Sequence, residues 1–201
     1  MFAIIQAAGW PIWFLLAASI IALTVIVERA LYLRPARILP PTLLSEAIAV
    51  ARGGPADAEV LRQLEQNSPL GRVLAAGLRN VGAPREVMRQ AIEEAGRAVA
   101  HQLGRYLTTL GTIATLAPLL GLFGTVIGMI ELFGAQDAGG GDPMRIAHGI
   151  SVALYNTAFG LAVAMPSLVC HRHFHAKVDD FVVDMEQQAV HFVDALNGVR
   201  D

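Results

Sequence analysis

Two stretches of this 201-residue sequence are rich in hydroxyl and amide groups yet hold no charged side chain. Between Tyr106 and Ile130 threonine recurs at Thr108, Thr109, Thr112, Thr115 and Thr125; between Gly149 and Cys170 stand Asn156, Thr157 and Ser167. Such groups donate and accept hydrogen bonds, order water and stabilise a neighbouring ion. They can solvate a proton in transit but cannot bind and release one. If ions move along these stretches, the titratable group must come from another chain, and a partner helix is its natural source.

Glu131 sits near the outer end of the first stretch, where it reads as a solvated interfacial carboxylate or, functionally, as a proton-entry group at a channel mouth. His171, His173 and His175 suggest a metal cluster, but alternate spacing on a helix spreads them around the axis, so a cytoplasmic interface explains them better. Cys170 has no second cysteine to pair with and no ligand companions at fixed spacing, and reads as a small hydrophobe. The threonines have a plain alternative too, back-bonding to their own helices. No nucleophile–base pair, metal set or phosphate loop is evident, so neither an enzyme nor a resident cofactor or metal is expected.

The elements that carry these groups read as membrane spans. With 54% apolar and only 16% charged residues, the composition is that of a polytopic membrane protein, and the net charge of −2 suggests no nucleic-acid partner. Residues 1–27 hold no charge and end at Glu28 and Arg29. They lack the basic start and small-residue cleavage site of a secretory signal, so 10–27 reads as a retained first span after a short periplasmic terminus, 1–9. The run Tyr106 to Ile130, about 25 residues and ~38 Å as a helix, exceeds a ~30 Å hydrocarbon core and anchors a second span, 106–133. A third span covers 148–170, after a glycine-rich periplasmic loop, 134–147.

The second and third spans carry matching small and polar stripes. One comprises Thr115, Pro118, Gly121, Thr125 and Gly128; the other Gly149, Ala153, Asn156 or Thr157, Gly160, Ala164 and Ser167. Small residues let helix backbones approach closely, and Gly124 with Gly128 forms a GxxxG pair, so these stripes are expected to face each other or a common space.

Residues 28–105 read as a cytoplasmic helical region. Thr42 caps a helix to Arg52, Asp57 opens a second, a third runs from Pro69 to Asn80, and after Pro84 apolar residues at Val87, Ala91, Ala95, Ala98 or Val99, and Leu103 keep helical period. One long helix from about Pro84 to Phe133 is predicted. The tail 171–201 is amphipathic, with Phe174, Val178, Phe181, Val182, Met185, Ala189, Phe192 and Leu196 on one face, and continues the third span. Arg145 is the only lysine or arginine between the second and third spans, which places that loop and the N-terminus outside and the C-terminus inside.

The segments APLLGLFGTVIGMIELF and HGISVALYNTAFGLAVAMPSLVCHRHF resemble the proton-channel family of MotA, TolQ and ExbB, with length and span number closest to ExbB and TolQ. The resemblance implies an all-α membrane protein whose three transmembrane helices, with long cytoplasmic extensions, form a homopentameric ring in the bacterial inner membrane. It implies an ExbD- or TolR-like single-span partner, whose aspartate would bind the transported proton, and a TonB- or TolA-like protein that receives the resulting mechanical work. Carried over as lumen groups are Thr125 and Thr157, with Asn156 beside them; Gly121, Gly124, Gly128 and Gly160 are the packing glycines. Val152 departs from the pattern, since ExbB and TolQ have glutamate there while MotA has valine. A MotA-like flagellar stator and a non-conducting membrane scaffold are the alternative readings.

Overall fold

The computed structural model describes residues 10–54, 56–134 and 143–198, so the expected terminus 1–9 and most of the expected loop 134–147 lie outside the described residues. Eight helices and no strand occur among the described residues: α1 (Ile12–Tyr32), α2 (Pro35–Ile38), α3 (Leu43–Arg52), α4 (Ala58–Asn67), α5 (Pro69–Arg79), α6 (Arg85–Leu103), α7 (Leu107–Gly134) and α8 (Pro143–Asn197). Three helical stretches, Ile12–Tyr32, Arg85–Gly134 and Gly149–Leu196, are long and apolar enough to cross a membrane. The chain divides into two compact units, one from Met1–Glu28 and Tyr106–His173, the other from Arg29–Arg105 and Phe174–Asp201.

The first unit is built from α1, α7 and the first part of α8. Leu15, Ala117, Val163 and Ala164 form its buried centre, with Ile113, Leu120 and Phe159 packed against them. At one end the Trp10 ring meets Phe14 and Phe123 edge-on, with centroids 5.9 and 6.0 Å away. The outer surface is as apolar as the centre: Ile20, Leu23, Leu119, Leu122, Met165 and Val169 are all exposed. A surface of that kind is stable against lipid or other chains, not against water.

The second unit packs α2 to α6 and the last part of α8 around Leu70, Val73, Leu74, Phe181, Met185 and Phe192. Gly77 lets α5 approach closely, for a Cβ there would stand 2.7 Å from Phe192 Cε1 and 3.0 Å from Ile92 Cδ1. The buried stripe of α6 agrees with the predicted one at Val99 and Leu103 and differs from it before them. It is Met88, Ile92, Val99 and Leu103, while Val87 is 47% exposed, because the bulky Met88 and Ile92 decide the facing where alanines do not. Capping also differs from expectation: Thr42 and Asp57 make no side-chain cap bond, whereas Ser68 Oγ accepts from the Gly71 amide at 3.1 Å. Thr42 is already in helical conformation, and its carbonyl instead accepts from Ser45 Oγ at 2.6 Å.

Arg29, one of the two charged residues at which the first charge-free run ends, is only 3% exposed. Its Nη1 donates to the Leu103 carbonyl at 3.0 Å, at the C-terminus of α6, where the helix dipole favours a cation. Its guanidinium also lies 4.9 Å from the Tyr32 ring centroid.

The run Arg85–Gly134 has the 50-residue length expected of one long helix, but it carries a local break. Turn residues Gly104, Arg105 and Tyr106 separate α6 from α7, and Tyr106 adopts φ 66°, a left-handed conformation that costs a non-glycine residue about 1–2 kcal/mol. Gly104, at the end of the amphipathic pattern, is the sequence signal for this break.

Candidate functional site: paired hydroxyls between α7 and α8

The site begins with close packing. A Cβ on Gly121 would lie 2.7 Å from the Asn156 carbonyl oxygen, and one on Gly160 would lie 2.5 Å from that of Ala117. A Cβ on Gly128 would stand 3.2 Å from Ala153 Cβ. Gly121 and Gly160 therefore bring the two backbones nearer than alanine allows, and Gly128 adds a tight contact.

That proximity sets the hydroxyls together. Thr125 Oγ1 lies 2.6 Å from Thr157 Oγ1, 3.0 Å from the Ala153 carbonyl oxygen and 3.2 Å from that of Gly121. One hydroxyl has one proton, and carbonyls only accept. If Thr125 gave its proton to Thr157, its oxygen lone pairs would face two carbonyl oxygens. The consistent arrangement has Thr125 donating to a carbonyl and Thr157 donating to Thr125. Thr157 then retains acceptor capacity for water or another donor.

The other sequence-named groups fall in different places. Asn156 is 1% exposed and lies in the seam, where a Cβ on Gly124 would stand 2.8 Å from its Cγ. Ser167 is also 1% exposed and donates to its own helix at the Val163 carbonyl, 2.7 Å away. Thr112 and Thr115 are exposed and back-bond to α7, Thr112 to the Thr108 carbonyl at 2.9 Å and Thr115 to that of Thr112 at 2.9 Å. Thr125 is thus set apart from them by its bonds to a second helix. Val152 is half-buried, and Glu131 is exposed near the end of α7.

The three histidines point to separate environments. His171 is half-buried with Nδ1 2.9 Å from the Leu107 carbonyl oxygen, His173 is exposed, and His175 Nδ1 lies 3.2 Å from Asp179 Oδ2. Among the described residues no three His, Cys, Asp or Glu side chains converge in a way that could hold a metal. Cys170 is half-buried.

Comparison with known proteins agrees with the geometry. A family described as the MotA/TolQ/ExbB proton channel family matches residues 65–187. The chain is 32% identical over 160 residues to the putative biopolymer transport protein ExbB-like 3 of Synechocystis sp., covering 77% of this chain and 75% of that protein. It is 32% identical over 183 residues to a putative biopolymer transport protein ExbB homolog of Methanothermobacter thermautotrophicus, covering 89% of this chain and 64% of that one. A shorter match, 42% over 78 residues, pairs 38% of the chain with 54% of the biopolymer transport protein ExbB of Helicobacter pylori.

Proposed function

Because the chain belongs to the MotA/TolQ/ExbB proton channel family, whose members are transport subunits and not enzymes, we propose that it is an ExbB-like subunit working through a carboxylate supplied by an ExbD- or TolR-like partner. The observation that carries this reading is the Thr125–Thr157 hydroxyl pair, set between two helices whose stretches Tyr106–Ile130 and Gly149–Cys170 hold no charged side chain. Acceptors without a titratable group of their own can hydrate a proton or hydrogen-bond a neutral carboxyl while leaving its release to the partner. The moving charge is then the partner's.

In this reading five copies form a ring around the partner helices in a bacterial inner membrane. The N-terminus and the loop before α8 are periplasmic, and the second unit is cytoplasmic. Thr125 and Thr157 face the lumen, Asn156 supports them from the seam, and Glu131 stands at the outer mouth. Proton passage moves the partner, and the motion performs work on a TonB- or TolA-like protein for outer-membrane transport or envelope maintenance. Val152 favours a second reading, a MotA-like stator; loss of motility without loss of envelope transport in a deletion strain would select it.

The test is proton uptake into proteoliposomes holding this chain alone or with its single-span partner. Uptake is expected only with the partner, and is expected to vanish when the partner's membrane carboxylate becomes an amide. Equal uptake with and without the partner would contradict the reading.

A further inference from the structure

The contacts between α7 and α8 run in one antiparallel register along the first unit, from His171 against Gly111 through Thr157 against Gly121 to Ala153 against Gly128. Between these points the seam is mostly glycine and alanine, including Ala117, Gly121, Gly124, Ala153 and Gly160, with the Asn156 side chain seated against Gly124. Such a seam fits closely but resists sliding only weakly, because one small residue replaces another when a helix shifts by a turn. Directional bonds add to the hold that Asn156 gives against Gly124. The hydroxyl pair with its Ala153 carbonyl is one that crosses this seam.

Another is His171. Its Nδ1 lies 2.9 Å from the Leu107 carbonyl oxygen, and since a carbonyl only accepts, Nδ1 carries the proton. The ring fills the notch left by Gly111, where a Cβ would be 3.0 Å from Cε1 and 3.1 Å from Nε2. Leu107 is the first residue of α7, directly after the break at Tyr106, so His171 grips that helix at its start. From Leu107 to Thr125 the helix rises ~27 Å. The seam is therefore pinned near both ends.

We propose that His171 is a positioning residue that sets the α7–α8 register and thereby keeps Thr125 against Thr157. It touches neither hydroxyl. The proposal deepens the channel reading by naming what holds its hydroxyls together, but its test does not depend on proton flow.

In a Cys170→Ser background, Gly128→Cys with Ala153→Cys reports the native register, because the two Cβ positions are 3.2 Å apart and disulfides need about 3.8 Å. Gly128→Cys with Gly149→Cys reports a slip of one turn. Disulfide yield is measured in membranes with His171, His171→Ala, His171→Asn and His171→Leu. Asparagine offers Nδ2 near the position of Nδ1, whereas leucine fills the notch without a donor. His171→Ala and His171→Leu are expected to lower the native-register yield at least threefold and raise the slipped one, and His171→Asn to restore the native yield. Unchanged yields in His171→Ala, or equal rescue by leucine and asparagine, overturn the proposal. Absence of partner-dependent uptake in the unsubstituted protein contradicts the channel reading and leaves the register result unaffected.

Discussion

Thr125 and Thr157 share a 2.6 Å hydrogen bond across two helices, and glycines at Gly121 and Gly160 permit the approach that makes it. Thr125→Val and Thr157→Val each keep shape and remove the hydroxyl. A double-mutant cycle on the stability of the detergent-solubilised protein should give a coupling of about 1 kcal/mol, the net worth of one such bond. Additive effects would mean that the two oxygens do not interact.

Gly160→Ala tests the seam itself. The added methyl would stand 2.5 Å from the Ala117 carbonyl oxygen, a backbone atom that cannot turn aside. A loss of about 1–3 kcal/mol is expected, typical of overpacking, measured as a lower midpoint of thermal unfolding in detergent. Ala162→Gly, at an exposed position of the same helix, is the control and should cost about 1 kcal/mol or less.

In the second unit, Gly77→Ala would place a methyl 2.7 Å from Phe192 Cε1. It should destabilise by about 1–3 kcal/mol. Because the obstruction is one side chain, Phe192→Leu should recover part of the loss in the double variant, which a melting series would show.

Arg29→Met keeps an apolar stem and deletes the donor to the Leu103 carbonyl. Losing a charge-assisted bond at a helix end should cost about 1.5–3 kcal/mol. Hydrogen exchange measured by mass spectrometry should then speed up in the last turn of α6. Unchanged protection there would show that Arg29 does not cap the helix.

Much of this was legible in the sequence because membrane spans and small-residue stripes are long, regular signals. The charge-free runs and the glycines of α7 and α8 are of this sort. The tail pattern was equally readable, and Phe174, Val178, Phe181, Met185, Ala189 and Phe192 are all buried. Features set by one side chain meeting one distant atom were not readable. His171 reaching Leu107, and Arg29 reaching Leu103 across 74 positions, depend on tertiary placement that no local pattern encodes. The first part of α6 faces one residue away from the predicted stripe for a related reason: where that stripe holds alanines, the larger Met88 and Ile92 determine the choice, while Val99 and Leu103 are buried as expected.

The most direct measurement is proton uptake by the assembled complex carrying Thr125→Val and Thr157→Val together, with assembly checked by size and by retention of the single-span partner. The expected result is an intact complex with proton uptake reduced at least tenfold. An intact complex with uptake equal to that of the unsubstituted protein would contradict a proton path lined by these two hydroxyls.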